Sequence, residues 1–84
     1  MTYDAIFLNT FLKQFKKLPE DVKRRVKQRI QELAENPYLG LRLRGQLEGY
    51  WKDRIGGYRI IYKVEESTQR IVFYDVGLRK KVYE

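Results

Sequence analysis

Gly56-Gly57 separates two runs, 50–55 and 58–64, in which residue character alternates with a period of two. Alternation of that period is the mark of a strand, and a glycine pair supplies the positive φ that a two-residue hairpin loop requires. The two runs are therefore expected to pair antiparallel, and with Gly56-Gly57 as the loop a register follows. Ile55 lies opposite Tyr58, Arg54 opposite Arg59, Asp53 opposite Ile60, and Lys52 opposite Ile61. Residues directly across a ladder share a face. Trp51, Ile55, Tyr58, Ile60, Tyr62 and Val64 then form a core face, while Lys52, Arg54, Arg59, Ile61 and Lys63 form the opposite one, expected to meet solvent. Asp53 falls on the core face in this register, which calls either for a polar partner there or for a register slightly shifted from this one. Arg54 opposite Arg59 is a like-charge pair, which destabilises a ladder. An anion seated between the two would offset that cost.

The rest of the chain supplies elements to pack on this hairpin. Residues 71–77 are a third alternating run, reached through a polar turn at 65–69. Residues 2–7 read as an edge strand. Asn9 or Thr10 is placed to cap a helix whose apolar stripe is Phe11, Leu12, Phe15 and Leu18, with Lys13, Gln14, Lys16 and Lys17 toward water. Pro19 ends it and suits the first turn of a second helix, where Glu20 and Asp21 complement the dipole. Val22, Val26, Ile30, Leu33 and Ala34 repeat at helical spacing, and Lys23, Arg24, Lys27 and Arg29 occupy the other side, before Asn36-Pro37 stops the helix. Residues 37–49, with Gly40, Gly45 and Gly49, read as a connecting loop. The expected fold is α+β in one domain, 1–84: an N-terminal strand, a helical hairpin, then a three-stranded antiparallel meander with the helices on one sheet face.

Composition narrows the chemistry. The 84 residues include no Cys and no His, which excludes zinc fingers, Cys nucleophiles and Ser-His triads. Carboxylates do not cluster with other ligands, so no metal or other cofactor is implied. No apolar run approaches the roughly 20 residues of a membrane span, and no signal-peptide pattern opens the chain, so a soluble cytoplasmic protein is expected. Lys and Arg number 18 against 11 Asp and Glu, a formal charge of +7, which suits a polyanion or an acidic protein partner.

Leu18-Pro19, Asn36-Pro37, Leu43-Arg44-Gly45, the segment Arg54-Ile55-Gly56-Gly57-Tyr58-Arg59-Ile60-Ile61-Tyr62, and Val76-Gly77-Leu78-Arg79 followed by Val82-Tyr83 together resemble the RelE/ParE toxin superfamily, in order and along essentially the whole chain. The resemblance implies the same strand, helical hairpin and meander. It also implies a toxin of a toxin–antitoxin system that enters the ribosomal A site and cleaves messenger RNA without a metal, the ribose 2′-hydroxyl attacking the adjacent phosphate. An acidic antitoxin is the implied partner. Carried over by motif, the catalytic positions are Lys52, Arg54, Arg59, Arg79 and Tyr83. Arg54 departs from the usual Lys, and Tyr83 follows a shortened spacer. On this reading Arg59 and Arg54 hold the phosphate oxygens, Lys52 is the general base, Arg79 serves the leaving oxygen, and Tyr83 stacks on a base. Arg24, Arg25, Lys27, Arg29 and Lys63 are the expected contacts to RNA and ribosome. Two other functions fit the same chain: a ParE-like toxin that inhibits DNA gyrase, and a non-enzymatic basic module that binds RNA or ribosomes.

Overall fold

A computed structural model describes residues 2–78. Strand β1 (Asp4–Phe7) leads into helices α1 (Asn9–Lys16) and α2 (Glu20–Glu35), followed by β2 (Leu41–Arg42), β3 (Tyr50–Ile55), β4 (Tyr58–Glu65) and β5 (Arg70–Leu78). The five strands form one mixed sheet in the order β1-β5-β4-β3-β2, with β1 parallel to β5 and the other neighbours antiparallel. The expected α+β architecture is present, with one strand more than expected. Leu41–Arg42, read as loop, pairs with Lys52 and Trp51 of β3. Two residues are too few to carry an alternation of their own.

The hairpin register follows the sequence pair for pair, from Ile55↔Tyr58 to Lys52↔Ile61. Gly56 turns the chain with φ 58°. One sheet face packs against the helices through Ile55, Ile60, Tyr62, Ile71, Phe73 and Val76, which meet Phe11, Leu18, Val22, Val26 and Leu33.

Several local expectations are revised. Leu8, rather than Asn9 or Thr10, occupies the N-cap of α1, and no side chain caps the helix. The N–H of Leu8 still donates to the Phe73 carbonyl at 3.2 Å, so the chain leaves the sheet only there and Asn9 is already helical. Leu12, placed in the apolar stripe, is exposed. Gln14, placed toward water, instead accepts a hydrogen bond from the Val76 N–H at 3.1 Å. Pro19 takes the N-cap of α2, one position before the first turn.

Strand β5 contains a bulge. Ile61 pairs with Asp75 but Tyr62 pairs with Phe73, so Tyr74 is the extra residue. The bulge shifts the parity of the strand: Ile71 and Phe73 face the core on one side of it and Val76 on the other. Gly40 allows a close approach between the 37–40 turn and the sheet. A Cβ there would lie 2.5 Å from the Tyr62 Oη and 2.6 Å from the Lys52 carbonyl oxygen. The Tyr62 hydroxyl uses that closeness, donating to the Pro37 carbonyl at 2.7 Å and accepting from the Gly40 N–H at 3.2 Å.

Candidate functional site: a cationic trough on the open sheet face

The sheet face away from the helices is laid out in rows by the register. Arg54, Arg59 and Gly77 form the row nearest the β3–β4 turn. Leu41, Lys52, Ile61 and Asp75 form the next, and Tyr50, Lys63, Val72 and Ile6 the one after. The expected cluster of Lys52, Arg54, Arg59 and Lys63 is thus brought to one face.

Depth differs from expectation. Arg54 is exposed and Lys52 half-buried, but Arg59 is only 2% exposed and Ile61 equally little. Strand β4 is central, with β3 and β5 on either side, and its side chains sit at the floor of the face. Alternation determines which face a residue joins; position within the sheet determines how deep it lies. The Arg59 guanidinium at the floor and the exposed Arg54 in the same row are planar forks of the kind that match phosphate geometry. Among the described residues, Asp75 Oδ1 is buried on this face with no hydrogen-bond partner.

The far end of the trough is aromatic. Tyr50 of β3 and Tyr74 of β5 reach over β4 to meet edge-on, their ring centroids 4.9 Å apart at 83°. Lys63 places its Nζ 5.5 Å from the Tyr50 ring. Burial, and then hydrogen bonding with Tyr50, raise the Tyr74 phenol above its ordinary pKa. This pair does not stand out in the sequence. Its signal lay in the parity break between core positions 71, 73 and 76, which marks a bulge and frees Tyr74 for the open face.

The cations of α2 divide. Arg24 and Lys27 are exposed, with Lys27 Nζ 6.0 Å from the Phe15 ring. Arg25 lies against the hairpin turn, where a Cβ on Gly56 would come within 3.1 Å of its Nη2. Arg25 and Arg54 line one crevice of about 310 Å³ with Gln28 and Gly56. Arg29, expected on the solvated side, turns inward instead. Its Nε and Nη2 donate to the Asp53 carboxylate at 2.6 and 2.9 Å, and its Nη1 donates to Glu32 at 2.8 Å. These bonds, Asp53 first, raise its pKa further and leave it engaged in structure. Asp53 thereby gains the polar partner its core-facing position requires. Arg79 and Tyr83 lie outside the described residues. Among those described, no group of three His, Cys, Asp or Glu is placed to hold a metal ion, and no helix is long and apolar enough to cross a membrane.

Residues 5–83 match the family model described as the ParE toxin of the type II toxin–antitoxin system parDE. The mRNA interferase toxin RelE of Escherichia coli K12 is 31% identical over 83 residues, covering 96% of this chain and 87% of the relative. Among solved structures, the toxin–antitoxin complex RelBE2 from Mycobacterium tuberculosis is similar with a TM-score of 0.87 and 27% identity, covering 94% of this chain and all of the matched chain. The isolated E. coli RelE toxin is similar with a TM-score of 0.81 and 29% identity, over 96% of this chain and 90% of the matched one.

Proposed function

The chain belongs to the RelE/ParE toxin family of type II toxin–antitoxin systems, and on that premise we propose that it is a ribosome-dependent endoribonuclease that cuts messenger RNA in the A site. The observation that carries this reading is the Arg54–Arg59 cross-strand pair with Lys52 in the adjoining row. The relatives' name, mRNA interferase, supports it.

The chemistry follows from the trough. The 2′-oxygen of the upstream ribose forms a bond to phosphorus as the bond to the 5′-oxygen breaks, leaving a 2′,3′-cyclic phosphate and a 5′-hydroxyl. Negative charge grows on the non-bridging oxygens, and Arg59 and Arg54 stabilise it, at about 3 kcal/mol for one well-placed donor. Lys52 receives the 2′-hydroxyl proton. A guanidinium stays protonated, so Arg54 serves charge rather than proton transfer. Arg79 is assigned to stabilising the leaving 5′-oxygen, which takes its proton from water, and Tyr83 to a codon base. Arg24, Arg25, Lys27 and Lys63 contact RNA phosphates; Arg29 is left out of that set because Asp53 and Glu32 occupy it. Net charge of +7 fits an acidic cognate antitoxin that neutralises the toxin in the cytoplasm, and the M. tuberculosis relative was solved with its antitoxin.

The test is cleavage of a labelled messenger on programmed ribosomes with an open A site, comparing wild type with Arg54→Ala. Cutting within the A-site codon by the wild type, with a cyclic phosphate end, is expected. Intact messenger would count against the reading. The second reading, gyrase inhibition, is favoured by the ParE description of the matching family model. It predicts loss of DNA supercoiling by gyrase and intact messenger in the same pair of assays.

A further inference from the structure

We infer that Tyr50 and Tyr74, with Lys63 beside them, form a stacking platform for a single RNA base at the end of the trough away from Arg54 and Arg59. This rests on the ribonuclease reading above and extends it to a second contact with the same RNA strand.

Geometry is the first ground. The two rings come from strands separated by β4, roughly 10 Å apart at ordinary strand spacing, yet their centroids stand 4.9 Å from one another. They close over the central strand beyond the Lys52 row. The bulge makes this possible by putting Tyr74 and Asp75 in succession beside one partner strand. Both tyrosines are half-buried, so neither is closed off from solvent.

Chemistry is the second. Tyr50, Lys52 and Arg54 alternate along one side of β3, spanning about 14 Å from first to last, enough for a short stretch of extended RNA. The order is aromatic, then ammonium, then guanidinium. Single-stranded nucleic acid is held by that combination, with aromatic faces for bases and cations tracking the phosphates. Lys63 stands over the Tyr50 ring, where its charge reaches the phosphate of the stacked nucleotide. Cross-strand support alone does not require two tyrosines to meet over an intervening strand on an exposed face.

The test uses programmed ribosomes whose A-site codon carries 2′-O-methyl groups, so that the messenger is not cut. Binding of the full-length toxin is measured with an intact codon and with an abasic nucleotide at each codon position. Tyr74→Leu and Tyr50→Leu are expected to weaken binding about five- to 150-fold, the range of one base–aromatic stack, while Tyr74→Phe keeps wild-type affinity. At one codon position an abasic nucleotide should weaken the wild type by a similar factor and cost the Tyr74→Leu variant nothing more. Circular dichroism melting confirms that each variant is folded. If the folded leucine variants bind like wild type, or lose as much as wild type at every abasic position, the platform is overturned and the ribonuclease reading stands. If the wild type does not bind programmed ribosomes at all, both fall together.

Discussion

Arg29 on α2 grips Asp53 on β3 with two parallel hydrogen bonds, 2.6 and 2.9 Å, and so locks the second helix to the strand that carries Lys52 and Arg54. Asp53 is 5% exposed. Removing one partner leaves a buried charge uncompensated, whereas removing both leaves an apolar contact. Arg29→Ala, which leaves the Asp53 carboxylate buried without this partner, is therefore expected to cost about 3 kcal/mol in urea unfolding. The double change Asp53→Leu with Arg29→Leu should recover most of that loss. A double variant as unstable as the single one would show that the pair does not act as a unit.

Gly40→Ala should destabilise the fold by about 1–3 kcal/mol, because a methyl group there meets a hydroxyl and a backbone carbonyl inside contact distance. Tyr62→Phe should relieve part of that crowding. In the Gly40→Ala background its own cost, ordinarily about 1–3 kcal/mol for the hydrogen bonds it deletes, should shrink. Thermal melting of the four proteins reads the coupling.

Burial pushes the Tyr62 phenol up to about 12 from an ordinary 10.0. A raised pKa in the folded state means that unfolding releases a proton once the unfolded phenol ionises. The contribution is whole below pH 10 and is lost as pH rises toward 12, by about 2–3 kcal/mol in all. Wild type should therefore lose stability more steeply than Tyr62→Phe between pH 9.5 and 11.5. Parallel slopes would contradict the buried, neutral phenol.

Lys52→Ala should lower single-turnover cleavage on programmed ribosomes by about 10²–10⁴-fold, the range for loss of a general base. Arg54→Lys keeps the charge and should hold the rate within about tenfold. Were Arg54→Lys instead to raise the rate by a hundredfold or more, the base would belong at position 54.

Arg59→Lys is the sharper probe of the floor of the trough. Arg59 is 2% exposed, so Arg59→Ala removes packing as well as charge. Lys keeps a charge of one sign but loses the planar fork. Cleavage should fall by about 10²–10³-fold at a temperature where the variant is still folded. A large drop in melting temperature with normal cleavage would make Arg59 a structural residue.

The hairpin was legible because a two-residue loop admits one pairing, and every face assignment on β3 and β4 follows from it. The helices were legible from spacing, although Gln14 and Arg29 were not. Both are long enough to bend from a polar stripe to a partner on the sheet. β2 is a strand only by virtue of β3, so nothing in Leu41-Arg42 announced it. The burial of Arg59 was hidden because alternation carries no information about which strand is central. The tyrosine pair depends on a bulge that local pattern recorded only as a change of parity. Arg79 and Tyr83 were named from family resemblance and lie beyond the described residues.

The parallel pairing of β1 with β5 joins Asp4 to Arg70, nearly the two ends of the chain. Both helices and the β3–β4 hairpin lie between the two strands, so this pairing closes a long loop. Long loops close late, because their entropy is spent before the pairing rewards it. The β3–β4 hairpin, with its two-residue loop, is expected to form first and to set Lys52, Arg54 and Arg59 on one face before β1 joins the sheet.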